Sequence, residues 1–203
     1  MSASSKAEGI VLASKSAARR AVLDGAGVPY EAATAGVDED AVKAGMLAEG
    51  ADAREIADAL AELKAIKVSR SRTGFVVGAD QTLEFEGELY DKAQTLAEAR
   101  ARLQALRGKP HKLHSAVVVA KDGAPIWREV VTATLTMRDF SDAFLDDYLA
   151  HEGDAALGSV GCYRLEGPGV QLFSKIDGDY FTILGLPLMG LLDLLRRHGE
   201  LPA

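Results

Sequence analysis

Asp80 is the residue whose setting in the sequence most clearly suggests chemistry, because it comes directly after a short apolar run. Residues 75–79 (Phe-Val-Val-Gly-Ala) are predicted to form a buried strand, with Asp80 at its C-terminal end. Open α/β sheets place their ligand clefts at the carboxyl ends of strands. Asp80 is therefore a candidate catalytic residue, although read alone it could equally be a turn residue that caps the next segment.

A second carboxylate that could work with Asp80 lies in the acidic triplet at positions 38–40. Hard cations such as Mg²⁺ prefer carboxylate and phosphate oxygens. Glu39 and Asp80 are therefore candidates to share a divalent metal. Read alone, the triplet is more often the solvated start of a helix.

Three cations, Arg19, Lys64 and Lys92, are candidates for binding phosphate. Guanidinium and ammonium groups neutralise charge on a transferring phosphoryl group. Ser14 lies at a predicted strand-to-helix junction, where the free N–H groups of a helix N-terminus attract anions. Each cation in isolation reads as a surface charge. The spacings alone therefore indicate only an α/β domain suited to phosphate.

Several familiar motifs are absent from the sequence. It has no Gly-x4-Gly-Lys-Ser/Thr phosphate loop, no His-Glu-x-x-His and no paired Cys-x-x-Cys. The Gly-Ser-Val-Gly at 158–161 has the wrong spacing for a nucleophile elbow. These absences exclude the usual signatures of ATPases, kinases, zinc enzymes and serine hydrolases.

The elements that must position the candidate residues are predicted from hydrophobic periodicity and capping signals. Strands are predicted at 10–12, 75–79, 113–120 and 126–137, around 163 and at 170–176, with a hairpin over 83–89. Helices are predicted at 17–26, after Asp38, from Asp52, from a Thr95 capping box to Gly108, from Ser141 and at 188–198. The pattern predicts a single α/β domain over residues 1–203, with a central mixed sheet flanked by helices and a cleft between two lobes.

Composition narrows the partners and the compartment. The chain has 203 residues, of which 48% are hydrophobic, and a formal net charge of -7. Such acidity disfavours binding to nucleic acid through a general basic surface. The single cysteine, Cys162, suits a reducing compartment. With no signal-peptide pattern and no apolar run long enough to span a membrane, we expect a cytoplasmic protein without a membrane partner.

Short segments in a characteristic order cover nearly the whole chain and together carry a resemblance. They are 12–16 (Leu-Ala-Ser-Lys-Ser) with Arg19 and Arg20, 37–39, Lys64, 77–80 (Val-Gly-Ala-Asp), Lys92, His111, 161–163, 166–167, 176–180 and 185–187. In this order they resemble the Maf family of nucleotide pyrophosphatases, which is named for an effect on septum formation. One segment alone is a weak signal, whereas the ordered set is a strong one.

Three positions depart from the family pattern. Ala17 stands where the family usually has proline, and Ala18 where many members have arginine or an aromatic residue. The family's Gly-Lys-Pro is Asp91-Lys92-Ala93 here, which keeps the lysine and changes its setting. None of these departures removes a presumed catalytic group.

The resemblance implies a reaction in which a nucleoside triphosphate and water give a nucleoside monophosphate and pyrophosphate. It implies that Asp80 accepts a proton from the attacking water, with help from Mg²⁺ or Mn²⁺. Arg19, Lys64 and Lys92 would hold the phosphate chain, and Ser14 would orient it. The resemblance also implies a Maf-like fold, related to that of inosine triphosphate pyrophosphatases, and homodimerisation is common in the family.

Two positions bear on the base of the substrate. The branch of the family that acts on thymidine and uridine triphosphates tends to carry Thr and Gln where this chain has Gln81 and Glu166. The present pair resembles the branch acting on 7-methylguanosine triphosphate, and a carboxylate can accept hydrogen bonds from the guanine edge. Alternatively, both side chains merely line a polar cleft rim, and Ala18 weakens the assignment to that branch.

Two rival functions are compatible with the sequence. The first is a pyrophosphatase similar to those that act on inosine triphosphate, which would prefer deaminated purines. The second is a nucleotide-binding regulator of cell division with little catalysis. The set of Glu39, Lys64, Asp80 and Lys92 argues against a loss of activity.

Overall fold

Helices and strands are interleaved along residues 8–202, the part of the chain that this computed structural model describes. The strands are β1 (Ile10–Ala13), β2 (Glu31–Ala32), β3 (Phe75–Phe85), β4 (Glu88–Tyr90), β5 (Pro110–Lys121), β6 (Ala124–Met137) and β7 (Phe173–Asp177). The α-helices are α1 (Ala17–Gly25), α2 (Glu39–Ala48), α3 (Ala53–Ser69), α4 (Leu96–Leu106), α5 (Asp142–Glu152), α6 (Tyr180–Ile183) and α7 (Leu188–Arg197). Two 3₁₀ helices cover Gly153–Gly158 and Pro168–Leu172.

All seven strands join one mixed sheet in the order β2-β1-β3-β5-β6-β7, with β4 paired to β3. Strand β1 runs parallel to β2 and to β3, whereas the remaining pairs are antiparallel. The predicted α/β class with a central mixed sheet flanked by helices is confirmed. None of the helices between residues 8 and 202 combines the length and apolar character needed to cross a membrane.

Strand β3 is longer than the sequence predicted, and Asp80 lies in its middle rather than at its end. The strand continues to Phe85 because β5 pairs with it from Val76 to Glu84. On its other edge, β1 pairs only as far as Gly78 and β4 begins only at Leu83. Residues 79–82 are therefore bordered by no strand on that edge, which leaves a gap between β1 and β4 beside Asp80.

Helix α3 covers one face of the sheet, and a glycine permits its close approach. Asp52 and Glu55 form a capping box at its start, as the sequence predicted. A methyl group placed on Gly78 would lie 2.2 Å from the carbonyl oxygen of Ala61 and 2.6 Å from the backbone nitrogen of Ala65. Glycine at this position therefore lets the helix backbone lie directly on β3.

The opposite face of the sheet carries two apolar clusters separated by a polar pair. Leu83 and Leu113 belong to one cluster, whereas Ala79 and Val117 belong to the other. Between them lies the cross-strand pair of Gln81 and Ser115. The Ser115 hydroxyl donates to the carbonyl of Thr182 at 2.7 Å, which satisfies this buried polar layer. The apolar core on this face of the sheet is therefore divided into two parts by the Gln81–Ser115 pair.

Three local predictions were wrong, one of them in part. The strand predicted at 170–176 forms only over Phe173–Asp177, because Pro168–Leu172 forms a 3₁₀ helix. No strand forms around Tyr163, because Ser159 Oγ bonds both its backbone nitrogen and its carbonyl and Cys162 has a positive φ of 58°. These contacts close a turn instead. At α4, Thr95 caps Glu98 as predicted, but the Glu98 carboxylate accepts from the backbone of Gln94 rather than from Thr95. The reciprocal half of the capping box is thus displaced by one residue.

Candidate active site

The centre of the site is one ammonium group bound to two carboxylates. Lys64 Nζ lies 2.5 Å from Asp80 Oδ1 and 2.8 Å from Glu39 Oε1. Lys64 is on α3 and Asp80 is on the strand beneath it, and both side chains are buried. The close approach of α3 at Gly78 brings the two residues together, although they are 16 positions apart in the sequence.

Glu39 reaches this centre from the first turn of α2. Asp38 caps that helix through a hydrogen bond from the backbone nitrogen of Ala41 at 3.1 Å, so Glu39 is its first residue. Burial raises the pKa of Glu39, but the hydrogen bond and charge of Lys64, with Lys43 and Arg19, outweigh it and leave the pKa below its ordinary value. Glu39 is thus held as a carboxylate beside Asp80.

Arg19 and Ser14 border the site from the turn between β1 and α1. Arg19 Nε donates to the carbonyl of Gly185 at 2.7 Å, and its Nη1 donates to Ser14 Oγ at 3.3 Å. Burial lowers the pKa of Arg19, while the charges of Asp80 and Glu39 act in the opposite direction. The guanidinium is fixed in place by these bonds, as a group that binds an anion must be.

Lys92 follows the short strand β4 on the far side of the gap. Desolvation and the positive charge of Arg19 lower its pKa, although Glu39 and Asp80 raise it. Of six residues predicted from the sequence, direct contacts join Glu39, Lys64 and Asp80, and join Arg19 to Ser14, whereas Arg19 and Lys92 are related to the two carboxylates through their charges. These six residues are called the Asp80 group below.

A further cation, Lys43, was not predicted. It lies one helical turn after Glu39 on α2, and its Nζ is 2.5 Å from Asp91 Oδ1. Burial lowers the pKa of Lys43, but the Asp91 bond together with Asp80 and Glu39 raises it above its ordinary value. The sequence signal was the spacing of four residues from Glu39, which places two side chains on one helix face.

The two residues predicted to contact the base are placed differently from this group. Gln81 points to the opposite face of β3, where its Nε2 donates to Ser115 Oγ and to the carbonyls of Thr182 and Ile183 at 2.8–3.1 Å. Its side chain still approaches the site, since a methyl group on Gly185 would lie 3.7 Å from Gln81 Cδ and 3.3 Å from Arg19 Nε. Glu166 is exposed, and no hydrogen bond or ion pair described for residues 8–202 links it to the Asp80 group.

The arrangement is suited to binding a polyphosphate and polarising water. Two carboxylates converge on the Lys64 ammonium, and the charges of Arg19 and Lys92 act on the same carboxylates. Within the described part of the chain, no group of three or more His, Cys, Asp or Glu side chains could hold a metal on its own. Mg²⁺ is often bound by one or two carboxylates together with substrate phosphates, so Glu39 and Asp80 fit that mode of binding.

Comparison with known proteins agrees with this geometry. Residues 9–198 match the family described as Maf-like protein. The chain belongs to the Maf family. The resemblance inferred from the short ordered segments is therefore confirmed, and the matched residues include every member of the Asp80 group.

Curated relatives of this Maf-family chain are similar over almost their full length. The nucleoside triphosphate pyrophosphatase of Caulobacter vibrioides is 65% identical over 192 residues, which are 95% of this chain and 96% of that protein. The one from Granulibacter bethesdensis is 55% identical over 193 residues, or 95% and 98%. The 7-methyl-GTP pyrophosphatase of Brucella abortus is 51% identical over 190 residues, or 93% and 96%.

Proposed function

We propose that this chain hydrolyses a nucleoside triphosphate to a nucleoside monophosphate and pyrophosphate. The observation that carries the proposal is the two ion pairs of Lys64, with Asp80 and with Glu39, within the electrostatic influence of Arg19 and Lys92. The relative from Caulobacter vibrioides that is 65% identical is named for this activity. A carboxylate surrounded by cations can both activate water and hold a polyphosphate.

In this mechanism, the Asp80 carboxylate accepts a proton from a water molecule. Lys64 binds Oδ1, and the contacts of residues 8–202 include no hydrogen bond to Oδ2, which leaves that oxygen for water. The water oxygen forms a bond to the α-phosphorus while the bond from that phosphorus to the bridging oxygen breaks. The electron pair leaves with pyrophosphate, and Arg19 and Lys92 stabilise its negative charge.

We further propose that Glu39 and Asp80 bind Mg²⁺ or Mn²⁺ together with the substrate. Bound there, a divalent cation would offset negative charge on the phosphate oxygens. The fit rests on Glu39 Oε1 and Asp80 Oδ1, which both lie within 2.8 Å of the Lys64 ammonium and so already share one cation. Ser14 and the start of α1 would orient the phosphate chain.

For the base, we propose a preference for 7-methylguanosine triphosphate through Gln81 and Glu166. Three acceptors surround Gln81 Nε2, which fixes the amide so that its oxygen is the group left to contact a base. A relative that is 51% identical is named 7-methyl-GTP pyrophosphatase. Equal turnover of all nucleotides would contradict this preference.

A cytoplasmic location and a homodimer remain proposals that rest on the sequence and the family resemblance. We also propose that neither nucleic acid nor a membrane is a partner, in keeping with the net charge of -7. Size-exclusion chromatography with light scattering measures the oligomeric state. A mass of one chain would contradict the homodimer.

The activity is tested by incubating the protein with Mg²⁺ and a panel of nucleotides and quantifying pyrophosphate and monophosphate. The panel contains the canonical triphosphates, 7-methylguanosine triphosphate and inosine triphosphate. We expect metal-dependent release that falls about 10²–10⁴-fold in Asp80→Asn. Asp193→Asn, which changes an exposed carboxylate paired with Arg197 on α7, is the matched control. A folded protein that releases nothing, or an active Asp80→Asn, would contradict the proposal.

A further inference from the structure

Asp91 is one of the positions at which this chain departs from its family, and the structure gives it a partner. Its carboxylate binds Lys43 Nζ at 2.5 Å, which joins the loop after β4 to helix α2. The Lys43 side chain is only 18% exposed, whereas that of Asp91 is 61% exposed. The contact is therefore partly shielded from water, and it is more persistent than a fully exposed ion pair.

The backbone of Asp91 is held as well. Arg102 on α4 donates through Nη1 to the carbonyl of Asp91 and to the carbonyl of Val160 at 2.8 Å. The same guanidinium lies over the Tyr90 ring, 5.3 Å from its centroid. Asp91 is thus bound through its side chain by α2 and through its backbone by α4.

Lys92, the next residue, has no comparable attachment. Among the contacts of residues 8–202, its only hydrogen bond is made by its carbonyl, which accepts from Gln94 Nε2 at 3.2 Å. Its ammonium has no ion-pair partner within that same part of the chain. The position of this ammonium is therefore set by the backbone on either side of it, and Asp91 is the fixed neighbour.

Helix α2 depends on the same contacts. None of its residues is buried, so apolar packing holds it only weakly. Two ion pairs from one face attach it to the site, Glu39 with Lys64 and Lys43 with Asp91. Because Glu39 and Lys43 are four residues apart, they act from the same side of the helix.

From these contacts we propose that Lys43 is a positioning residue, which acts through Asp91 to hold Lys92 against the phosphate chain of the substrate. This inference rests on the proposed function, because it assigns Lys43 a part in binding that triphosphate. It also gives a physical role to the aspartate that stands here in place of the family's glycine. Lys43 itself does not contact substrate in this arrangement.

A direct role for Lys43 in binding phosphate predicts the opposite response at Asp91. If Lys43 contacted phosphate, Asp91→Asn would release Lys43, remove a negative charge and lower KM. If Lys43 acts through Asp91, Asp91→Asn loosens the Lys92 loop and raises KM, as Lys43→Met does. The sign of the change at Asp91 therefore separates positioning from simple charge attraction.

The experiment measures kcat and KM for pyrophosphate release with the nucleotide of the panel that is turned over best. The full-length variants are Lys43→Met, Lys43→Arg, Asp91→Asn, Lys92→Met and the double variant Lys43→Met/Lys92→Met. For Lys43→Met and Asp91→Asn we expect KM to rise roughly 3- to 30-fold, with a smaller fall in kcat than in Lys92→Met, which loses the ammonium altogether. Lys43→Arg restores most of the affinity. Lys112→Met, which breaks an ion pair with Glu84 outside the site, is the matched control.

The double variant gives the second criterion, because residues that act through one another are not additive. Its KM is expected to equal that of Lys92→Met within about twofold. The inference would be overturned if the KM increases of the two single variants multiplied in the double variant. An unchanged KM in Lys43→Met or a lower KM in Asp91→Asn would also overturn it. Binding of a non-hydrolysable triphosphate analogue is measured in parallel, so that an inactive wild type contradicts the proposed function without deciding the role of Lys43. In that case, equal Kd values for wild type and Lys43→Met overturn the positioning role.

Discussion

At the scale of single residues, Lys64 determines how the carboxylates of the site are arranged. Its ammonium occupies the point on which Glu39 Oε1 and Asp80 Oδ1 converge. Asp80 and Lys64 are both buried, so each needs the other as a partner for its charge. Glu39 is more exposed than Asp80. Replacing Lys64 by a bound metal cation therefore costs less free energy at Glu39 than at Asp80.

Lys64→Met tests this arrangement without requiring turnover. We expect a lower melting temperature in the absence of metal, because the Asp80 carboxylate loses its partner. The freed carboxylates favour Mn²⁺, and a ligand bound only to the folded state stabilises it. Saturating Mn²⁺ should therefore raise the melting temperature by about 2–4 °C more in Lys64→Met than in wild type. Lys175→Met, at an exposed lysine of β7, is the control, and equal shifts in all three proteins would contradict the prediction.

At the scale of secondary structure, the contact of α3 with β3 creates the site. Lys64 reaches Asp80 only because the helix backbone lies directly over Gly78. Three small residues of α3 that pack against the sheet, Ala57, Ala61 and Ala65, keep the two backbones close. The same contact therefore contributes to both stability and chemistry.

Gly78→Ala should lower both the stability of the protein and its catalytic activity. The added methyl group would overlap the Ala61 carbonyl and the Ala65 nitrogen, so α3 must shift. Overpacking of this kind costs about 3 kcal/mol in the free energy of unfolding, measured by urea denaturation. Turnover should fall as well, because Lys64 moves with the helix.

Gly45→Ala is the matched control for that substitution. Gly45 lies inside α2 with no atom within 4 Å of the added methyl group, and alanine favours a helix. We expect it to leave stability unchanged or to raise it by about 0.5–1 kcal/mol. A Gly78→Ala protein as stable as Gly45→Ala would contradict the account of α3 packing.

At the scale of the whole molecule, the two apolar clusters meet at the polar layer of Gln81 and Ser115. A second buried polar contact lies within the first cluster, where His111 Nε2 and Tyr163 Oη are 2.7 Å apart. The ring of Phe173 packs against both. Because His111 is 2% exposed, protonating it costs free energy that the entire fold must supply.

This burial predicts how global stability depends on pH. Burial lowers the pKa of His111 to about 4, whereas a histidine in an unfolded chain titrates near 6.5. The unfolded state therefore binds more protons between these values, and stability is lost as pH falls through that window. From pH 6.5 to pH 4.5, the unfolding free energy of wild type should fall by about 2 kcal/mol more than that of His111→Gln.

Urea denaturation at several pH values measures this difference. His151→Gln changes an exposed histidine on α5 and should keep the wild-type dependence on pH. If the unfolding free energies of wild type and His111→Gln fell equally with decreasing pH, the role given to buried His111 would be contradicted.

Local sequence determined most of the elements and most of the candidate site. Capping residues such as Asp38, Asp52 and Ser141 fixed the helix starts, because a cap depends on residues that are near neighbours in the chain. The apolar runs of β5 and β6 fixed the hairpin for the same reason. The ordered segments identified the family, and with it the residues that meet around Asp80.

Only the tertiary structure decided how those residues are combined. The gap along residues 79–82 of β3 depends on where β1 stops and β4 begins, which are pairings between distant parts of the chain. Lys43 became part of the site through Asp91, 48 residues away. The Gln81 amide proved to be held by the carbonyls of α6, a contact across about 100 residues. Such contacts depend on how whole elements pack against one another, and no local pattern in the sequence contains that information.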